Sequence, residues 1–387
     1  MTVTAVQGVR ATGQAVGIKG GGVPDAALVA FDEPAACVAV FTTNKAPAAP
    51  VQVSRQHLIA TGGLVRAIVL TSGNANAATG EPGVSVAEEI CASVAEQLGC
   101  AAEEVLICQT GLIGIPFPLD AAREGIGQLA GALSASLTAG QRAAEAIMTT
   151  DTFAKQNLIG RSTFTIGSMA KGAAMLAPNM ATMLAVVVTD AKLEPPALDR
   201  ALRTAVAGSF NSLDVDGATS TNDTVILVST GVGPPVGESE FTEALSQSCK
   251  GLADAMAFDS EGATKAVRIT VTGAATDGEA HQGARKVATS QLVKCSLNGE
   301  DPYWGRVLSE IATAGIEFDP QRAVIAYGGI PVSVGGVGID HDSDAVARHM
   351  AERWLSIEIE LGMGDGVGSI LTTDLGYGYI DENRTTS

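Results

Sequence analysis

The sequence is poor in aromatic residues, which make up 4% of its 387 residues, and it contains only four histidines. With so few rings, the core of this 46% hydrophobic chain must consist mainly of Ala, Val, Ile and Leu. A chain of this length can bury a large core and is expected to form two or three domains. The histidines form no HExxH motif and no evident pair, so a serine-histidine mechanism has no visible base.

The sequence also lacks any apolar run close to the roughly 20 residues that a membrane helix requires. Residues 1–20 lack the apolar block of a secretory signal, so a soluble cytoplasmic protein without membrane contact is expected. The net charge of −18 leaves no basic surplus to neutralise phosphates and argues against a nucleic-acid partner. The six cysteines form no CxxC pair, which predicts buried reduced thiols rather than a zinc or redox site.

Motifs for phosphates, dinucleotides and metals are missing as well. The chain has no GK[ST] P-loop and no GxSxG elbow, and its segment GMGDGVG lacks dinucleotide-binding spacing. Asp340, Asp342 and Asp344 have the opening spacing of a calcium loop, but Ala345 and Ala351 stand where that loop needs Gly and Glu. A solvated acidic turn is expected there, and neither a metal nor a cofactor is predicted.

Apolar periodicity predicts a mixed α/β fold. Runs rich in Val, Ile and Ala predict strands at 26–41, 66–72, 183–188 and 224–229. Four-residue apolar spacing predicts helices at 85–98, 120–133, from 195 onward and at 241–257. Ser85 and Glu88 have the spacing of a capping box at the start of the first helix. Glycine becomes more frequent after about residue 327, which favours a second lobe near the C-terminus.

Residues 171–191, KGAAMLAPNMATMLAVVVTDA, carry the strongest chemical signal. A stretch of small residues around Pro178 precedes Ala181 and Thr182, and the apolar run Met183–Val188 then fits a buried strand. Cleavage before Thr182 would free an α-amine, whose usual pKa of about 7.7–8.0 lets it accept the proton of the threonine hydroxyl. By spacing alone, a threonine that caps an ordinary core strand is the commoner interpretation.

This segment resembles the self-cleavage signature of the ornithine acetyltransferase (glutamate N-acetyltransferase) family, which runs close to KGxGMxxPxMATML. Other segments resemble the family in the same order along nearly the whole chain: FTTNKAPAAPVQVSR (41–55), SGNANAATG (72–80), QTGLIG (109–114), AIMTTDT (146–152), DGATSTNDT (216–224), EGATK (261–265) and DPYWGR (301–306). We therefore expect a layered α/β sandwich of sheets flanked by helices, with a smaller α/β lobe within about residues 266–387.

The resemblance implies that Thr182 attacks the carbonyl of Ala181 and divides the chain into residues 1–181 and 182–387. These two chains would stay associated, and the family usually forms a tetramer of two α and two β chains. The freed Thr182 would take an acetyl group from N-acetylornithine and pass it to glutamate, a step of arginine biosynthesis.

The resemblance also assigns the other site residues. The Thr110 hydroxyl and the Gly111 N–H match the family's oxyanion hole. Lys171 and Glu261 match its charged substrate contacts and suit a carboxylate and an ammonium group. The remaining substrate-binding positions correspond to Thr149, Asn383 and Ser387.

The second half of the chain departs from the family pattern. In the tail YGYIDENRTTS, the segment after Asn383 is one residue shorter than in the family motif and lacks the tyrosine that the motif has there. Tyr303 replaces an asparagine, and Ala218 replaces an aspartate. These changes concern the acyl acceptor more than the nucleophile, and they leave a divergent acetyltransferase of a specialised pathway open. An amidase or aminopeptidase on the same scaffold and an uncleaved, non-catalytic binding protein are further alternatives, and the use of acetyl-CoA as a donor also stays open.

Overall fold

The computed structural model describes residues 2–176 and 183–384, so Ala181, Thr182 and Ser387 lie outside the described residues. The described chain forms two compact units. The first unit comprises residues 2–176, 183–211 and 219–256, and the second comprises 212–218 and 257–384. Each unit has its own sheet and its own hydrophobic core. The division into residues 1–181 and 182–387 by self-cleavage stays a prediction.

The elements are numbered along the chain. The strands are β1 Val9–Gln14, β2 Ala26–Phe41, β3 Leu64–Asn74, β4 Val105–Leu112, β5 Lys155–Gly160, β6 Thr165–Lys171, β7 Leu184–Thr189, β8 Leu213–Asp214, β9 Thr224–Ser229, β10 Ala266–Ala274, β11 Val324–Tyr327, β12 Ile330–Val334, β13 Val337–Gly338, β14 Trp354–Glu360 and β15 Gly366–Thr373. The α-helices are α1 Ala49–Ala60, α2 Gly80–Leu98, α3 Leu119–Ile126, α4 Leu137–Ala146, α5 Pro195–Ala207, α6 Glu238–Phe258, α7 Asp277–Ala288, α8 Gln291–Asn298, α9 Trp304–Ile311, α10 Ser343–Ala351 and α11 Tyr377–Glu382. Short 3-10 helices occupy Val3–Ala5, Ala102–Glu104, Ala130–Ala132 and Phe210–Ser212.

The sheet of the first unit has the strand order β4-β3-β2-β9-β7-β6-β5, with β1 also paired to β2. The pairings along this path give β4 and β9 the same direction. Nevertheless, Asn222, two residues before β9, donates from Nδ2 to the Gln109 carbonyl near the end of β4 (2.9 Å) and to the Ala75 carbonyl after β3 (2.6 Å). Opposite ends of β4 and β9 therefore lie together, which requires the sheet to fold back into two layers through the long strand β2.

The core of the first unit lies between these two layers. Ile68, Leu106, Val186 and Ile226, from β3, β4, β7 and β9, belong to one buried cluster. A second cluster joins the outer face of β3 and β4 to α1, α2 and α3. On the other layer, the Ser248 hydroxyl of α6 hydrogen-bonds to a β6 hydroxyl at 2.8 Å. The expected layered sandwich of sheets flanked by helices is thus confirmed.

Several predicted elements are confirmed, but two features of the helix predictions are wrong. Residues 183–188 are at most 2% exposed, as a central buried strand requires, and β2, β3 and β9 match their predicted runs. The helix predicted at 120–133 ends at Ile126, because the Gln97 amide of α2 donates to the Ile126 carbonyl (3.1 Å) and accepts from the Ala130 N–H (3.1 Å). The capping box is wrong because α2 begins at Gly80, so Ser85 lies inside the helix.

The second unit is a smaller α/β structure around the strand order β13-β12-β11-β14-β10-β15-β8. Its core consists of residues such as Val267, Ile269 and Ile357 from the sheet and Val287 from α7. The buried Lys294 of α8 is satisfied by the Val215 carbonyl, the Thr372 hydroxyl (2.5 Å) and a third acceptor. The smaller α/β lobe of the expected fold is therefore present.

The predicted acidic turn also begins a helix, and two of the six cysteines are not buried as predicted. Asp342 caps the N-terminus of α10, where its Oδ1 accepts the Ala345 N–H at 2.9 Å. Four cysteines are buried, whereas Cys100 is partly exposed and Cys295 is exposed. Within residues 2–176 and 183–384, no helix is both long and apolar enough to span a membrane.

Candidate active site

The residues predicted for the oxyanion hole lie at the C-terminal end of β4. Thr110 is buried, and Gly111 has φ +129°, a backbone conformation that favours glycine. A Cβ atom at Gly111 would lie only 2.3 Å from the carbonyl carbon of Gly73, its partner on β3. This close approach of two strand ends admits no side chain at position 111.

Lys171, the last residue of β6, reaches the same place. Its side chain is buried, and Nζ donates a hydrogen bond to Oγ1 of Thr110 at 3.3 Å. Since the Thr110 oxygen accepts this bond, the Thr110 hydroxyl proton can be donated elsewhere, and the adjacent ammonium group strengthens it as a donor. The structure thus joins two site residues that stand 61 positions apart.

Asp151 fixes the surroundings of Lys171 and Thr149. Its Oδ1 accepts from Lys155 Nζ (2.6 Å) and from the Gly172 N–H (2.8 Å), and its Oδ2 accepts from the Thr149 N–H (3.0 Å). Burial by itself would raise the pKa of Asp151, but the Lys171 and Lys155 ammonium groups and the Gly172 N–H lower it to about 2. The carboxylate therefore stays ionised and holds the loop of Thr149 against the end of β6.

A second buried carboxyl group, Asp223, directly precedes β9 and lies beside the start of the neighbouring strand β7. Its Oδ1 accepts the Met183 N–H at 2.9 Å, and β7 and β9 pair from Leu184 and Thr224 onward. Burial raises the pKa of Asp223 well above its usual value, and the Met183 N–H, a nearby hydroxyl and an ammonium group offset this only in part. Asp223 thus fixes the residue that directly follows Thr182 in the chain.

Two predicted substrate contacts belong to the second unit and touch each other there. Glu261 is half-buried before β10, and its Oε2 accepts from Asn383 Nδ2 at 2.8 Å. Asn383 follows α11 and also donates to the Tyr379 carbonyl at 2.9 Å. A Cβ atom at Gly262 would lie 2.0 Å from the carbonyl carbon of Gly378, so glycine at position 262 allows α11 to approach the Glu261 turn.

The sequence patterns did not predict either buried aspartate, although both stand in segments that resemble the family. Asp151 stands in AIMTTDT and Asp223 in DGATSTNDT. An acidic residue among apolar and small polar neighbours is a usable signal, because a buried carboxylate persists only with partners. Within the described residues, no cluster of His, Cys, Asp and Glu could hold a metal ion.

Comparisons with known proteins identify the family of this chain. The model of the ArgJ family matches residues 10–385. The arginine biosynthesis bifunctional protein ArgJ of Mycobacterium tuberculosis is 44% identical over 393 residues, which cover 100% of this chain and 96% of the relative. The protein of the same name from Streptomyces coelicolor is 44% identical over 389 residues, and both chains are covered completely. The solved ornithine acetyltransferase of M. tuberculosis with ornithine is 42% identical, has a TM-score of 0.44, and covers 46% of this chain and 94% of that chain.

Proposed function

The chain belongs to the ArgJ family, and on that premise we propose that it is an acetyltransferase of arginine biosynthesis that moves acetyl from N-acetylornithine to glutamate. The observation that supports this best is the contact of Lys171 with Thr110 beside Gly111. A hydroxyl, a backbone N–H and a cation at one point are the groups that stabilise the oxyanion of an acyl transfer.

The enzyme first activates itself by cutting its own chain. The Thr182 oxygen attacks the Ala181 carbonyl carbon, the peptide C–N bond breaks, and the nitrogen takes the hydroxyl proton. Water then hydrolyses the resulting ester, which leaves residues 1–181 and a chain that begins with the free amine of Thr182. The hydrogen bond from Met183 to Asp223 supports this role, because it holds the chain next to the nucleophile in one position.

The cleaved enzyme then works in two half-reactions. The Thr182 amine accepts the hydroxyl proton, the oxygen attacks the acetyl carbonyl of N-acetylornithine, and ornithine leaves with that proton. Glutamate next attacks the acetyl-threonine ester and departs as N-acetylglutamate. The Thr110 hydroxyl and the Gly111 N–H stabilise the oxyanion of both steps, a contribution of about 10²–10³ in rate per donor.

The remaining residues bind the substrates. Lys171 attracts their carboxylate and Glu261 their amino group, and Thr149, Asn383 and Ser387 complete the contacts. The active form is a tetramer of two α and two β chains in the cytoplasm, without a cofactor. Acetyl-CoA is the second donor to test, because the curated relatives are named bifunctional.

The central experiment compares the wild-type enzyme with Thr182→Ala. Denaturing electrophoresis should give two fragments for the wild type and one full-length band for the variant, which should also lack transferase activity, because one hydroxyl performs both reactions. Thr182→Ser keeps a hydroxyl and should retain part of the processing. Two fragments from Thr182→Ala would refute the assignment of the nucleophile.

A second measurement separates a transferase from a hydrolase. Rapid quenching after mixing with N-acetylornithine alone should add one acetyl group to the 182–387 fragment and none to 1–181, and glutamate should remove it. Ornithine release that continues at the same rate without glutamate would instead indicate an amidase. An unmodified 182–387 fragment during fast turnover would contradict the covalent intermediate.

A further inference from the structure

The loop between β1 and β2 is held by a buried carboxylate that the proposed mechanism does not use. Asp25 is fully buried, its Oδ1 accepts the Val16 N–H at 2.6 Å, and its Oδ2 accepts the N–H groups of Ile18 (2.6 Å) and Lys19 (2.9 Å). The Ser72 N–H donates to the Asp25 carbonyl at 2.9 Å, which ties the loop to the end of β3. The backbone of Lys19 is therefore fixed before any ligand binds.

The side chain of Lys19 extends towards the candidate active site of the first unit. A Cβ atom at Gly73 would lie 2.8 Å from Cγ of Lys19, so the stem of the lysine covers Gly73, the strand partner of Gly111. Nζ of Lys19 donates to the carbonyls of Met148 (2.6 Å) and Pro24 (3.2 Å). Met148 directly precedes Thr149, so Lys19 connects the end of β3 to the Thr149 loop.

Charged groups of both signs act on Lys19. Burial lowers the pKa of Lys19; the Asp25 carboxylate opposes this, Lys171 adds to it, and Asp151 opposes it. Among the described residues, Lys19, Lys155 and Lys171 lie near the carboxylates of Asp25 and Asp151. The Lys19 ammonium group is partly removed from water, where it favours an anionic ligand more strongly than a surface lysine does.

One proton of the Lys19 ammonium group is available for such a ligand. An ammonium group carries three donors, and among the described residues Lys19 Nζ uses two of them, on the Met148 and Pro24 carbonyls. The carboxyl group of Asp223 lies near Lys171, and burial raises its pKa well above the usual value.

We propose that Lys19 is a second cation that binds the α-carboxylate of the substrate, together with Lys171. The inference rests on the proposed function, since N-acetylornithine and glutamate share an α-carboxylate and differ elsewhere. Two lysines from different elements, β6 and the β1–β2 loop, fix the direction of a carboxylate better than one point charge does.

The test compares N-acetylornithine with its α-carboxamide, with glutamate as acceptor, in the cleaved wild-type enzyme and in Lys19→Gln. For the carboxylate substrate, Lys19→Gln should lower kcat/KM about 10- to 100-fold, mainly through KM, because a hydrogen bond to a charged group is lost. For the carboxamide substrate, kcat/KM should differ by less than about threefold between the wild-type enzyme and Lys19→Gln, because a neutral amide gains little from the ammonium charge. Lys19→Arg should restore much of the preference for the carboxylate.

The controls separate binding from structure. Lys250→Gln removes an exposed lysine of α6 in the same unit and should leave kcat/KM for both substrates unchanged. Chain cleavage and thermal midpoint should stay close to wild type in Lys19→Gln and in Lys19→Met, which keeps the stem over Gly73. Equal losses for carboxylate and carboxamide, or failure of both variants to fold, would overturn the proposal in favour of a structural lysine. A wild-type enzyme that transfers no acetyl group would instead refute the proposed function.

Discussion

The two groups of predicted site residues differ in how their charges are held. In the first unit, Lys171 and Asp151 are buried, and the Asp151 carboxylate accepts three hydrogen bonds. In the second unit, Glu261 is half-buried and accepts one hydrogen bond from the exposed Asn383. Burial makes every lost partner costly, whereas water replaces a lost partner at the surface. Substitutions in the first group should therefore lower the free energy of unfolding, whereas substitutions in the second group should change it little.

The largest expected effect comes from Asp151→Asn, which removes the carboxylate that pairs with the buried ammonium group of Lys155 at 2.6 Å. We expect a loss of about 3–5 kcal/mol in the free energy of unfolding, the usual cost of breaking a buried ion pair. Urea unfolding in an uncleaved Thr182→Ala background measures it on a single chain. The matched control is Asp32→Asn, whose exposed ion pair with Arg10 (2.9 Å) should contribute less than about 1 kcal/mol. Equal losses in the two variants would contradict the comparison.

A smaller effect should appear in the pH dependence of stability. Because the pKa of Asp151 is lowered to about 2, its carboxylate contributes stability above the unfolded pKa of about 4 and loses it as the pH falls towards 2. Protonation should therefore narrow the difference in the free energy of unfolding between the Thr182→Ala background and the same chain carrying Asp151→Asn by about 1 kcal/mol between pH 5 and pH 3, and by about 2 kcal/mol only below pH 2. Urea unfolding at pH 5, 4 and 3 tests this narrowing.

Asp223 supplies a control of opposite sign for the pH experiment. Its raised pKa contributes stability below the unfolded pKa, and this stability is lost as the pH rises through the folded pKa. Asp223→Asn is neutral at every pH, so its stability relative to the Asp223 parent should rise as the pH rises. Differences that move in the same direction for Asp151→Asn and Asp223→Asn would contradict the opposite pKa shifts.

The smallest effect on stability is expected from Glu261→Gln. The amide can still accept from Asn383, and an exposed pair contributes less than about 1 kcal/mol. Catalysis should respond more strongly: kcat/KM for N-acetylornithine should fall about 10- to 100-fold, since a charged contact with the substrate amine is lost, while chain cleavage stays intact. Steady-state kinetics and denaturing electrophoresis of one preparation measure both. A variant that neither cleaves nor folds would assign Glu261 to the structure instead.

Local patterns predicted much of the first unit. The buried strand at 183–188 follows from a continuous apolar run, and the strand at 224–229 follows in the same way, because side-chain burial along a strand is legible from nearest neighbours. The predicted length of α3 is wrong where a side chain from another helix contacts its end. The Gln97 amide of α2 bonds to the residues on both sides of the end of α3, a contact that no pattern within residues 120–133 predicts, although Gly127 directly after Ile126 is a local stop signal.

The sequence by itself determined the family, the order of the motifs and the candidates Thr110, Gly111 and Lys171, because each depends on residue type and short spacing. Only the tertiary structure decided which charges meet. The folding of one sheet into two layers placed Lys171 on Thr110, and the loop of Lys19 beside both Gly73 and the carbonyl that precedes Thr149. Pairing of buried charges depends on distances between elements far apart in the chain, and no local pattern encodes those distances.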